Sequence, residues 1–221
     1  MNVIKSISFS QEEILTWILR LHVPKGRFDV DATFSTGGFY RTGAVPLPER
    51  RFDLQPRSPE VEQADCRRLP LTGGSLSSLI LDLPFLAASG PSLQSAEGNR
   101  INRRFGVYPS EAALRGLYKE ALDEAFRVLH PGGVLVFKCQ DKASGGKQHM
   151  AHCQVYNDAV QRGFEPLDLF VLLARSRLIA DWQRNQKHAR KFHCYFWVFR
   201  KPDEQGRRKR RENDQSERLY R

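Results

Sequence analysis

Ser10 followed by Glu13 has the form of a capping box, and Ile14, Trp17, Ile18 and Leu21 then recur on one helical face. This predicts a first helix to about His22, ended by Pro24 and Gly26. Arg27-Phe28-Asp29-Val30-Asp31 alternates polar with apolar, the pattern of a short strand, before a tight turn at Ser35 to Gly38. A second strand is expected at Arg51 to Leu54. The fully apolar run Leu79-Ile80-Leu81 predicts a strand in the middle of a sheet.

Between Ser110 and His130, Leu114, Leu117, Tyr118, Ala121, Leu122, Ala125, Phe126 and Leu129 form a helical stripe that Pro131-Gly132-Gly133 is expected to stop. Val134 to Phe137 reads as a buried strand, and a further helix is expected from about Gln148 to Arg162, closed by Gly163. Phe170 to Leu173 and the aromatic run Tyr195 to Phe199 complete the strands. This alternation predicts an α/β fold with a mostly parallel central sheet flanked by helices, its strand order left open. No internal repeat is found.

The 221 residues suit one globular domain, expected over 1–201 with 1–26 as an N-terminal helical extension. Lysine and arginine outnumber the acids by 35 to 25, a formal charge of +10 that favours a polyanionic partner. Arg200 to Arg221 holds nine basic and five acidic side chains, so the remainder is itself basic, at 26 against 20. Residues 202–221 read as a basic disordered tail, fit for a localisation signal or a phosphate-binding arm. Cys66, Cys139, Cys153 and Cys194 form no Cys-x-x-Cys pair, which points to a reducing, cytoplasmic setting. No run approaches the ~20 apolar residues needed to cross a bilayer, so no membrane partner is expected.

In an open α/β sheet, ligands bind beyond the carboxyl ends of the strands, so the loops there are where chemistry is sought. Asp31-Ala32-Thr33 runs into Gly37 and Gly38, where paired glycines tolerate positive φ and close backbone approach. Pro46 and Pro48 leave no room for a long helix after this loop, so a phosphate at a helix N-terminus is not favoured. Asp53 is placed to accept from a ribose diol and Asp65 from an exocyclic amine. Asp82-Leu83-Pro84-Phe85 joins a carboxylate, a rigid proline and an aromatic face at one strand end, the combination that holds a flipped-out planar base. His149, His152 and Cys153 do not complete a tetrahedral set, and no metal is expected.

Taken in order, these residues resemble the Rossmann-like class I methyltransferases that use S-adenosylmethionine, and among them small bacterial and phage enzymes that methylate exocyclic amino groups of DNA bases. The resemblance runs from about Phe28 to Lys201. Its longest matches are Leu129-His130-Pro131-Gly132-Gly133-Val134-Leu135-Val136-Phe137-Lys138-Cys139-Gln140-Asp141 and Gln186-Lys187-His188-Ala189-Arg190-Lys191. At the catalytic loop that family has Asp-Pro-Pro-Phe or Asp-Pro-Pro-Tyr, and Leu83 departs from it. The rRNA adenine dimethyltransferases carry a leucine at this place, which keeps an RNA substrate as the alternative.

The resemblance implies that Asp82 and a loop carbonyl accept from the base amine, that Phe85 stacks on the ring and that Pro84 holds the loop. Asp31, Thr33, Gly37 and Gly38 are implied on the methionine part of the cofactor, Asp53 on its ribose and Asp65 on its adenine. Adenine N6 is the favoured target, with cytosine N4 second and a catalytically inactive nucleic-acid-binding module as a different class. Two segments suit nucleic acid: Ala87 to Tyr108, with Arg103 and Arg104, and Arg175 to Lys191, with Arg184, Lys187, Arg190 and Lys191 around Trp182. The oligomeric state is left open.

Overall fold

The computed structural model describes residues 3–87, 108–144, 147–176 and 188–203. The elements in chain order are β1 (Ile7–Ser8), α1 (Gln11–His22), β2 (Val30–Asp31), β3 (Arg50–Asp53), β4 (Glu62–Gln63), β5 (Leu76–Asp82), α2 (Glu111–Val128), β6 (Leu129–Cys139), β7 (Lys142–Ser144), β8 (Lys147–His149), α3 (Ala151–Arg162), β9 (Glu165–Leu173) and β10 (His193–Arg200). Among the described residues, eight strands form one sheet in the order β1-β9-β10-β6-β5-β2-β3-β4, and β7 pairs with β8 in a separate hairpin. The neighbours from β4 to β6 run parallel, while β10 lies antiparallel between β6 and β9. The order reverses at β2, whose neighbours are β3 on one side and β5 on the other. That is the switch point at which doubly wound sheets open a ligand crevice.

Period-two alternation decides which side chain goes to which layer. Leu79, Leu81, Leu135 and Phe137 face the helices α2 and α3, packing with Leu117, Ala121, Leu122, Ala125, Val155 and Ala159. Ile80, Val134, Val136, Phe196 and Val198 face the other way, against Ile14, Leu15, Ile18 and Leu19 of α1. Phe137, Ile80, Leu135, Val136 and Phe196 are fully buried, each worth roughly 1.5–3 kcal/mol in transfer from water. The first helix, set apart in the sequence reading as an extension, is thus one of the layers enclosing the sheet.

Several boundaries differ from expectation. Ser10 does cap α1, its Oγ accepting from the Glu13 N–H at 3.2 Å. The reciprocal bond runs through Ser8, whose hydroxyl donates to Glu13 and accepts from the Ser10 N–H. The long helix does not reach His130: it ends at Val128, where Leu129 turns extended and stays buried. Pro131-Gly132-Gly133 is a bulge inside β6, since Leu76 pairs with Leu129 but Ser78 already pairs with Val134. A Cβ on Gly133 would lie 2.9 Å from the His130 carbonyl, so only glycine fits there. Residues 147–149 belong to the hairpin, and α3 begins at Ala151 and closes at Gly163, with φ of 113°. Asp29 and Asp31 do not alternate outward, for both are buried. Among the described residues, no helix is long and apolar enough to cross a membrane.

Candidate functional site

Because β4, β3, β2 and β5 are parallel neighbours, their carboxyl ends lie on one rim, and each carries an acid at or just past its end: Asp65, Asp53, Asp31 and Asp82. Asp31 and Asp82 flank the switch point and are linked through Thr33. The Asp82 N–H donates to Thr33 Oγ1 at 2.7 Å, and Thr33 donates to Asp31 from its backbone at 2.9 Å and its hydroxyl at 3.3 Å. The Tyr40 hydroxyl donates to the other Asp31 oxygen at 2.8 Å. Burial pushes the Asp31 carboxyl up to about 7, and the nearby Asp82 charge adds to the rise, although the Thr33 and Tyr40 bonds oppose it.

The Asp82 carboxylate is itself held. Lys138, the last side chain but one of β6, donates to it at 2.9 Å and to Gln11 of α1 at 3.1 Å. The same ammonium lies 5.1 Å from the Phe39 ring centroid and 5.6 Å from that of Phe196. Desolvation works against the charged ammonium, but Asp82, with Cys194 and then Asp31, outweighs it and holds the Lys138 pKa above its ordinary value. Beyond Asp82 the loop is pinned from both sides: the Tyr118 hydroxyl donates to the Pro84 carbonyl at 2.7 Å, and Lys142 donates to that of Phe85. Leu83 is buried in the core beneath the loop, where its side chain packs with the α2 face. Pro84 and Phe85 are half-buried.

The glycine pair splits. Gly37 has φ of 65° and closes a turn onto the Phe34 carbonyl, and Ser35 adopts φ of 53°, but Gly38 stays out of the left-handed region. A Cβ on Gly37 would lie 2.9 Å from the Phe34 ring, which stacks on Tyr40 at 5.4 Å. Gly37→Ala is therefore expected to cost about 1–2 kcal/mol from backbone conformation alone, with more from displacing Phe34, read as a lowered melting temperature. As the sequence suggested, no helix follows this loop before β3.

The outer two acids have partners within the chain. The Asp53 oxygens accept from the Ser35 and Gln55 N–H groups, each at 2.8 Å, so Asp53 ties the glycine turn to the end of β3. Asp65 is gripped by the Arg67 guanidinium at 2.6 and 3.0 Å, which holds its carboxyl below the ordinary range, and Arg67 also reaches Glu120. Arg190 and Lys191 are half-buried just before β10, whose start lies on the same rim. Arg103, Arg104, Arg184 and Lys187 lie outside the described residues, as do most of both basic segments and the tail. Ala87 and Tyr108 pair as an isolated bridge, so the chain leaves and re-enters the described structure at one place beside the Asp82 loop.

Lys138, Tyr40 and Gln11, with Tyr118 and Lys142 on the loop carbonyls, are members of the site that sequence reasoning missed. Lys138 had a signal, a charged residue at the end of an otherwise apolar strand. Tyr40 and Gln11 had none.

No protein-family model matches the chain, and no curated protein matches it in sequence. Solved structures do match. SpnF, described as a (4+2)-cyclase, aligns over 86% of this chain and 81% of its own, with a TM-score of 0.51 and 16% identity. The N-methyltransferase NodS from Bradyrhizobium japonicum aligns over 87% and 97%, with a TM-score of 0.48 and 17% identity. A candidate DNA modification methylase from Thermus thermophilus aligns over 70% and 55%, with a TM-score of 0.43 and 16% identity. The chain spans about half the length of that methylase across its three structures. At 16% identity the likeness to SpnF shows the fold alone, a Rossmann-like fold with a mostly parallel sheet and flanking helices, as the strand order describes it.

Proposed function

We propose that this protein is an S-adenosylmethionine-dependent methyltransferase acting on an exocyclic amino group of a base in DNA, with adenine N6 the favoured target. The observation that carries the reading is the Asp31–Thr33–Asp82 linkage at the switch point, followed at once by Pro84 and Phe85. A fold supports many chemistries, so the reading rests on what these side chains can do. Lys138 pairs with Asp82 in this crevice, and once Asp31 is ionised, as pH passes through 7, its negative charge suits a cationic ligand such as a sulfonium. Asp31, Thr33 and Gly37 would line the methionine end, with Gly38 beside them. Asp53 and Asp65 would meet the ribose and adenine, sharing their oxygens with the donors they already hold.

When bound, the cofactor supplies an electrophilic methyl group. Asp82 then accepts an N–H of the base amine and turns the nitrogen lone pair toward that methyl for in-line displacement. Its fixed negative charge stabilises the positive charge that grows on nitrogen, with no reorganisation of solvent. Phe85 offers its face to the ring. The rigidity comes from Tyr118 and Lys142 on the loop carbonyls and from Lys138 on the carboxylate. Leu83 points into the core rather than the crevice, so its difference from proline leaves the groups with direct roles in place.

The test is transfer of labelled methyl from S-adenosylmethionine to unmethylated DNA and, separately, to total RNA, followed by nucleoside analysis. Label in N6-methyladenine from DNA supports the reading. Label in RNA alone moves the substrate to RNA, and label in neither, with cofactor binding intact, favours the noncatalytic nucleic-acid-binding module.

A further inference from the structure

Asp141, His152 and Cys153 form a cluster that the methyl-transfer reading does not use. Asp141 follows the carboxyl end of β6 and is 3% exposed. Both its oxygens lie 2.8 Å from His152 Nδ1, and one also accepts the His152 backbone N–H at 3.1 Å, at a helix start where Met150 gives no side-chain cap. The imidazole stacks on Tyr195 with ring centroids 4.3 Å apart, and the Tyr195 hydroxyl donates to Asp141. The His152 carbonyl accepts from Trp197 Nε1 at 3.0 Å. With Nδ1 donating to a carboxylate, Nε2 is left as the acceptor nitrogen, and it lies 3.3 Å from Cys153 Sγ. Cys153 is exposed in the first turn of α3.

Capping α3 requires only that Asp141 accept the His152 backbone N–H, and it gives no reason for Nε2 to face an exposed thiol. A nucleophile within reach of a base, and a base oriented by a third group, is the arrangement of covalent catalysts. We infer that Cys153 is a nucleophilic thiol served by His152 as base and Asp141 as positioning residue, and that it is a modification site for soft carbon electrophiles. As Sγ bonds to the electrophilic carbon, the S–H bond breaks and its proton passes to Nε2. The imidazolium formed is paired with Asp141. With a haloacetamide, the carbon–halogen bond breaks in the same step and halide leaves with its electrons.

The full chain is treated with iodoacetamide, and each cysteine is followed by peptide mass spectrometry. Native Cys153 is expected to react roughly tenfold or more faster than Cys153 in the urea-unfolded chain. A native rate equal to or below the unfolded rate overturns the inference, and this comparison needs no variant. His152→Asn is expected to bring the native rate down to the unfolded one, whereas an unchanged rate overturns the role of the imidazole. Cys139, 1% exposed, labels only on unfolding and so separates loss of the base from loss of the fold. Because methyl transfer is not the readout, the outcome does not depend on the proposed activity.

Discussion

Asp82→Ala is expected to lower kcat for methyl transfer by roughly 10²–10³, the range seen when one preorganised electrostatic group is removed from a reacting centre. On the proposed reading the carboxylate would meet the base only after the polymer is bound, so affinity for nucleic acid should change little. The alanine has a second effect: it leaves Lys138, only 15% exposed, with Gln11 and two aromatic faces but without its counter-ion. Breaking such a pair by removing one partner is costly, so some loss of stability accompanies the loss of rate. Asp82→Asn separates the two. Its amide oxygen still accepts from both Lys138 and the base amine but carries no charge, so its rate is expected to fall between wild type and alanine. Steady-state kinetics on the three proteins, with nucleic-acid binding measured in parallel, provide the check. Equal loss of binding and turnover in alanine would make Asp82 a structural residue.

The rim explains how so short a chain assembles a site. Strands β2 and β5 are neighbours at the switch point, and beyond the Ala32 N–H bond to the Ile80 carbonyl the Thr33 hydroxyl bridges their ends, accepting from Asp82 and donating to Asp31. From β2 the chain enters the glycine turn, which brings Tyr40 back onto Asp31. From β5 it enters a loop whose first side chain to turn inward, Leu83, anchors it to the helical layer. Lys138 reaches the crevice from β6 and joins it to α1 through Gln11. A helix on the far layer and three strands are therefore linked through Thr33, Asp82 and Lys138.

Much of this was legible in the sequence, because alternation and capping are local. Leu79 to Leu81 and Val134 to Phe137 read as strands by their own pattern, and the acids that end β2, β3 and β5 stood where parallel sheets place ligands. Most of the remainder depends on pairs far apart in the chain. Lys138 and Asp82 are 56 residues apart, and nothing local to either reveals the other. The Pro131-Gly132-Gly133 bulge reads as a helix stop because glycine and proline serve both ends, and only the Leu76–Leu129 register distinguishes them. Asp65 reads as a free acceptor, yet Arg67, two residues away, grips it.

Asp31→Asn is expected to stabilise the protein at alkaline pH while weakening its hold on a cationic cofactor. The Asp31 carboxyl stands at about 7 in the folded protein against 3.8 for the ordinary group, chiefly because it is buried. Folding therefore favours the protonated form. The contribution is fully present below pH 3.8 and is lost progressively as pH rises, until above 7 the ionised carboxylate carries the whole cost. A separation of that size corresponds to about 4 kcal/mol at 1.36 kcal/mol per pH unit. Asparagine escapes it, for its oxygen accepts from the Thr33 N–H and its amide can donate to Tyr40. The melting temperature of the variant is expected to exceed that of wild type by about 10 °C at pH 8, a gap that grows from pH 4 to 7 and then levels. A gap that is absent, or the same at pH 4 and 8, would show that Asp31 is not the group responsible. Cofactor binding should move the opposite way. A sulfonium favours ionised Asp31, so the affinity of wild type for S-adenosylmethionine should rise as pH passes through 7, whereas that of the variant stays low and flat. On the proposed reading, a residue that costs stability above pH 7 and yet lies buried between Thr33 and Tyr40 is accounted for by the cofactor it would bind.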